Sequence, residues 1–243
     1  MKPAFALLGS GEFEPWSEEV DRWMLARVAR PEGPVLILPA ASAPEGDEVF
    51  TMWADMGLRH FEDLGLPAEV VPMKTRDDAS RSGFVDRLDE ASFVYFSGGN
   101  PAYLAGLLRD TPIWVAVLAG LERGLGYAGC SAGIAALGEL APDSSRRDFS
   151  DDIWQPGLEL FPKVHFGPHW DMLDTYIPGL QAIIVAAVPE DRPLFAVDER
   201  TAAVGDGTDW SVLGLGKVHL RLHGQWHEWA AGESFEAPLL VGR

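Results

Sequence analysis

Short, unbroken apolar runs punctuate this chain, and longer amphipathic stretches separate them. Ala4 to Leu8, Val35 to Leu38, Glu69 to Val71, Phe93 to Phe96 and Gly126 to Ala128 each read as a strand. A run such as Phe93-Val94-Tyr95-Phe96 lacks the in–out alternation of a half-exposed strand. Burial on both faces is expected, as in a parallel sheet covered by helices. Helical periodicity runs from about Glu48 to Leu64, Asp77 to Leu88, Pro101 to Leu108 and Thr111 to Arg123. The last begins Thr-Pro, a cap followed by the one helical position that tolerates proline well. Alternating strands and helices predict an α/β fold, with helices packed on a mostly parallel sheet.

The rhythm changes after residue 190. Leu194 to Val197, Ala202 to Val204, Trp210 to Leu213, Val218 to Leu222 and Trp226 to Trp229 are short strands separated by turn signals such as Gly205-Asp206-Gly207 and His223-Gly224. They predict an antiparallel C-terminal extension of the same sheet. No repeat, linker or compositional break divides the chain, so residues 1–243 read as a single domain.

Charge narrows the classes of partner. The chain has 37 acidic and 19 basic residues, for a net charge of −18. Such a chain repels phosphate backbones, so neither nucleic acid nor an anionic membrane is an expected partner. The single cysteine, Cys130, excludes an internal disulfide. Phe5 to Leu8 is too short for a signal peptide. No run reaches the ~18 apolar residues of a membrane helix. A cytoplasmic monomer or homodimer is the expectation.

Candidate chemistry centres on Gly129-Cys130-Ser131-Ala132-Gly133, which follows a strand and opens the apolar helix Ala132 to Leu137. This is the G-x-S-x-G elbow in its strand–turn–helix setting. A sharp turn pushes the serine forward, and small neighbours are needed there. The helix start favours negative charge beside the serine, and the N–H of Ala132 is placed to meet a developing oxyanion. A second turn, Ser97-Gly98-Gly99-Asn100-Pro101, follows the strand before the elbow. In parallel sheets the functional loops gather at the carboxyl ends of strands, so Gly99 is a candidate second oxyanion donor.

A serine nucleophile needs a base and an orienting acid. His169 lies just past a Gly-Pro turn in Val164-His165-Phe166-Gly167-Pro168-His169-Trp170, where a strand-end loop presents it. His165 falls inside the strand pattern and reads as structural. His60 belongs to an upstream helix. His219 and His223 share a strand face with His227 beyond the turn, which invites a zinc reading, but solvated hairpin positions fit them better. No metal or other cofactor is expected. The stretch Asp143 to Asp152 offers several carboxylates, mostly a solvated loop by composition.

Taken together these pieces resemble the α-aspartyl dipeptidase (dipeptidase E) and cyanophycinase family of serine peptidases. The resemblance runs from about residue 4 to 220. It is carried by Ser97-Gly98-Gly99-Asn100, Gly129-x-Ser131-Ala132-Gly133, Leu160-Phe161-Pro162, Pro168-His169-Trp170 and Ala196-Val197-Asp198-Glu199-Arg200-Thr201-Ala202. It implies the class I glutamine amidotransferase-like fold, a flavodoxin-like three-layer sandwich. It also implies a triad with Ser131 as nucleophile, His169 as base and Asp152 as acid, with Asp151 second. Gly99 and Ala132 would supply the oxyanion N–H groups. Gly167 stands where the family has Asn.

The expected activity is hydrolysis of small peptides, extending to dipeptides with N-terminal Asp. Glu12 or Asn100 would meet a substrate amino group. Arg109, Arg146 or Arg147 would meet an aspartate side chain. Two other readings stay open: an amidotransferase-like hydrolase using Cys130, and a non-catalytic member of the fold. An α/β-hydrolase esterase fits less well, because its histidine usually lies much further downstream.

Overall fold

The computed structural model describes residues 2–146 and 153–239. Its centre is an eight-stranded sheet. Five parallel strands form one side: β1 (Ala4–Leu8), β2 (Val35–Leu38), β3 (Ala68–Val70), β4 (Phe93–Phe96) and β5 (Gly126–Cys130). Three antiparallel strands continue it beyond β1: β10 (Thr201–Gly205), β11 (Asp209–Gly214) and β14 (Ser234–Glu236). The spatial order is β14-β11-β10-β1-β5-β4-β2-β3.

Alternate residues of the buried strands feed two cores. Phe5, Leu7, Leu36, Leu38, Val94, Phe96 and Tyr127 face one. Ala6, Leu8, Val35, Ile37, Phe93, Tyr95, Ala128 and Cys130 face the other. Helices α3 (Ser82–Arg87), α4 (Pro101–Leu108) and α5 (Pro112–Arg123) cover the first face with Phe84, Leu104, Ile113 and Val117. Helices α1 (Glu18–Leu25) and α2 (Asp47–Asp63) cover the second with Val20, Met24 and Phe61. The helix-covered, mostly parallel sheet is that expected from the run pattern, and the three layers are those the family resemblance implies.

The helix ends follow local chemistry. Asn100 Oδ1 accepts from the Tyr103 N–H at 3.1 Å to cap α4. Gly124, at φ 98°, closes α5 in the left-handed region. The expected helix from Asp77 to Leu88 is broken into a 3₁₀ turn and α3. Asp78 turns its carboxylate back onto the N–H groups of Lys74 and Thr75, and Arg81 is extended.

One expectation is corrected. The C-terminal strands do not all extend the main sheet. β8 (His165–Gly167), β9 (Leu194–Val197), β12 (Lys217–Leu222) and β13 (Gln225–Ala230) form a separate four-stranded sheet in the order β13-β12-β9-β8. β8 and β9 pair in parallel, with Gly167 opposite Ala196. The chain leaves this sheet at Asp198 and enters the main one at Thr201, through Arg200 at φ 50°. Between the sheets, Phe195 meets Trp210 at 5.7 Å and Phe5 meets Phe161 at 5.2 Å between ring centroids. Strands β6 (Leu140–Pro142) and β7 (Trp154–Pro156) pair antiparallel beside them. Among the described residues, no single helix is long and apolar enough to cross a membrane.

Candidate active site

The carboxyl ends of β1, β2, β4 and β5 converge on the elbow. Ser131 follows β5 directly, at φ 52° and ψ −107°. A non-glycine residue held there stores on the order of 1–3 kcal/mol of strain, which surrounding contacts must offset. Its N–H donates to the Leu8 carbonyl at 3.1 Å, and its own carbonyl accepts from Ile134 and Ala135. The flanking glycines are required by close approach. A Cβ on Gly133 would lie 2.3 Å from the Phe96 carbonyl oxygen, and one on Gly129 would lie 2.6 Å from that of Gly133. Helix α6 (Ala132–Ala135) is shorter than the expected Ala132 to Leu137. The chain turns away there because Leu158 and Phe161 donate to the carbonyls of Ala136 and Leu137.

The two residues at the centre of the elbow differ in environment. Cys130 is fully buried on the α1/α2 side, and its thiol donates to Glu12 Oε2 at 2.8 Å. Burial and the neighbouring carboxylate push its pKa well up. Ser131 is partly exposed. Its Oγ lies 2.8 Å from His169 Nε2, and His169 Nδ1 lies 3.0 Å from Glu199 Oε1. His169 reaches this place from the turn after β8, in the left-handed region at φ 54°. Glu199 reaches it from the corner after β9. The parallel β8–β9 pairing sets these two turns side by side.

The carboxylate on His169 is thus Glu199. Asp152 and Asp151, expected in that role, lie outside the described residues. Glu199 was present in the Asp198-Glu199-Arg200-Thr201 segment, and its place just past a strand end was the available signal. Burial works to raise the Glu199 pKa. The Tyr176 hydroxyl, which donates to Oε1, the His169 imidazole and Arg200 outweigh that and hold it below the usual carboxylate range. Tyr176 itself is pushed up to about 12, chiefly by that hydrogen bond. The Glu199 N–H donates to Asp171 Oδ1 at 2.8 Å, fixing the corner.

Gly99 stands beside the serine at φ 141°. A Cβ there would overlap the Ala41 backbone at 2.3 Å. Among the described residues, neither the Gly99 nor the Ala132 N–H donates to a backbone carbonyl of a turn, loop or cap. The adjoining Gly98 N–H is taken by Glu12 Oε1 at 2.8 Å. Glu12, with both oxygens engaged, braces the turn and the elbow together. Asn100, expected to meet substrate, is largely buried but lines a cavity that also reaches Ser131 and His169; its Oδ1 caps α4, and its Nδ2 donates to Asp143 at 2.6 Å.

Of the arginines expected to read an aspartate, Arg109 instead donates to the Gly157 carbonyl at 2.6 Å. Arg147 is outside the described residues. Arg146 lines a cavity of about 210 Å³ that opens at Ser131 and His169. A second, wider cavity of about 770 Å³ meets the same two residues and is lined by Glu12, Glu14 and Glu45. Gly167 borders the smaller cavity, where a Cβ would strike the Trp170 ring at 2.9 Å.

His60, His165 and His219 have acidic partners within the protein. His219 is buried rather than solvated, with Asp198 at 2.8 Å and Glu228 at 3.2 Å on its two nitrogens. His60 pairs with buried Asp21 at 2.7 Å. His223 and His227 are exposed. Among the described residues no group of three or more His, Cys, Asp or Glu side chains is arranged to hold a metal ion.

Comparison with known proteins supplies the family. The profile of peptidase family S51 matches residues 5–213. The chain belongs to peptidase family S51. As an S51 member it is a serine-type peptidase. It is 28% identical over 226 residues to the cyanophycinase of Nostoc sp., spanning 89% of this chain and 72% of that protein. It is 29% identical over 195 residues to the cyanophycinase of Synechococcus elongatus, spanning 75% of this chain and 56% of that protein. The crystal structure of a peptidase from an acI-B1 Actinobacterium superposes with a TM-score of 0.87 at 30% identity, covering 98% of each chain. A putative peptidase E protein from Listeria monocytogenes shares the fold, with a TM-score of 0.62 at 20% identity, over 88% of this chain and 99% of that one.

Proposed function

We propose that this S51 peptidase hydrolyses small peptides, dipeptides among them, through a Ser131–His169–Glu199 triad and an acyl-enzyme. The observation that carries the reading is the continuous contact from Ser131 Oγ to His169 Nε2 at 2.8 Å and from His169 Nδ1 to Glu199 Oε1 at 3.0 Å. His169 takes the hydroxyl proton as Ser131 attacks the scissile carbonyl. Ionised Glu199 holds the imidazole tautomer that presents a bare Nε2, and stabilises the imidazolium that forms. The carbonyl oxygen becomes an oxyanion between the N–H groups of Gly99 and Ala132. His169 then returns the proton to the leaving amine, and water, activated by the same imidazole, hydrolyses the ester.

Amino-acid release from a dipeptide panel, half of it with N-terminal Asp, tests the reading against Ser131→Ala. Turnover that disappears in the variant supports it. Turnover that survives in Ser131→Ala overturns the assigned nucleophile.

A further inference from the structure

We propose that the preferred substrate carries an uncharged, apolar side chain next to the scissile bond, seated in the smaller cavity beside Ser131. The inference rests on the peptidase reading above and specifies its substrate class.

The smaller cavity is walled by Ile153, Trp154, Leu173, Leu180, Ile183 and Ile184, with Ser131 and His169 at its edge. Its volume of about 210 Å³ falls below the roughly 300–1,000 Å³ of sites that enclose whole small molecules. It suits a single side chain.

No carboxylate lines it among the described residues, so a guanidinium or ammonium entering there would lose hydration without a partner. Among the described residues Arg146 is the one lysine or arginine on the wall, and Asp143 feels its charge. Among the described residues the acidic lining lies on the wider cavity, where Glu12 holds the Gly98 N–H and the Cys130 thiol, Glu14 pairs with Arg200 at 3.0 Å, and Glu45 completes the set.

A second observation concerns the wall itself. Helix α8 (Leu180–Ala187) has the sequence LQAIIVAA, without a charge, and none of its residues is fully buried. Leu180 and Ile184 pack against the buried cluster of Trp170, Leu173, Val188, Leu194 and Ala196, and both also border the cavity. Ile183 is 38% exposed. An apolar helix left half covered at the edge of a catalytic serine gains its missing burial when an apolar substrate group enters.

The test is kcat/KM on dipeptides and tripeptides with Ala on one side of the scissile bond and Leu, Phe, Asp or Arg on the other, in both orders. The wild type is compared with Ile183→Lys, a substitution at an exposed position, and Ser131→Ala is the blank. At one of the two positions Leu or Phe is expected to exceed Asp and Arg by about tenfold or more, the scale on which apolar pockets discriminate. Ile183→Lys is expected to shrink that ratio and to favour Asp. Asp or Arg equalling or exceeding Leu and Phe at both positions overturns the inference. Ser131-dependent hydrolysis in that case still leaves the peptidase reading standing. Failure of the wild type to cleave any peptide overturns that reading and the preference with it.

Discussion

The Tyr176 hydroxyl and His169 Nδ1 meet the same oxygen, Oε1 of Glu199. Tyr176 is 56% exposed, and its ring stands edge-on to the His169 imidazole at 6.1 Å between centroids. Tyr176→Phe removes a donor to the charged carboxylate. Glu199 then gains a proton more easily, and the acid limb of the kcat/KM profile is expected to move to higher pH. At neutral pH a loss of roughly threefold to tenfold is expected, a hydrogen bond to a charged group discounted for solvent access. An unchanged acid limb removes Tyr176 from the machinery.

Glu199→Gln keeps the shape and takes away the charge. A triad whose acid becomes an amide loses about 10⁴ in kcat, because the imidazole is held in the wrong tautomer. The same order of loss is expected here, with the thermal midpoint little changed. Asp152→Asn, at the acid that the family resemblance pointed to, is the control. A severe loss at Asp152 with a mild one at Glu199 would reverse the assignment.

Cys130 is expected to be inert. Its thiol is fully buried, bonded to Glu12 and held in the protonated form. Iodoacetamide should leave the native protein unmodified and label one site after unfolding. Cys130→Ser should retain peptidase activity. Rapid alkylation with loss of turnover would restore the cysteine reading.

His219 links stability to pH. Burial pulls its pKa down, but the hydrogen bond and charge of Asp198, aided by Glu228, outweigh that and hold it above the ordinary value. The protonated ring is therefore favoured by folding. Its contribution is complete below the unfolded value of about 6.5 and fades as pH rises through the higher folded value. His165 works in the opposite sense, since burial lowers its pKa. A thermal-midpoint series in wild type and His219→Gln separates them. The difference between the two proteins should be largest in mild acid and shrink in alkali. A difference that is constant with pH would show that the ring acts by packing alone.

Much of this could be read from the chain. Phe93 to Phe96 and Val35 to Leu38 announce doubly covered strands because no polar residue interrupts them. The elbow declares itself because Gly129 and Gly133 leave no room for a side chain. The split of the C-terminal strands was hidden. A short alternating run such as Val218 to Leu222 looks the same whichever sheet it joins, and its partner is chosen by contacts distant in sequence. Glu199 was hidden for a related reason. It lies thirty residues beyond His169, and only the β8–β9 register brings the two together. Helix α8 was missed because its uncharged sequence has no polar face to set its period.

The division into two sheets has a further consequence. Ser131 ends a strand of the larger sheet, whereas His169 and Glu199 both follow strands of the smaller one. His169 and Glu199 therefore share one support, and Ser131 stands on another. The two supports are joined by the aromatic seam of Phe5, Phe161, Phe195 and Trp210 and by the hydrogen bonds from Gly9 N–H to the Thr201 carbonyl and from Arg200 N–H to Ser10 Oγ. The seam acts as a spacer gauge: trimming a ring far from any substrate would detune proton transfer while leaving the histidine–glutamate couple intact.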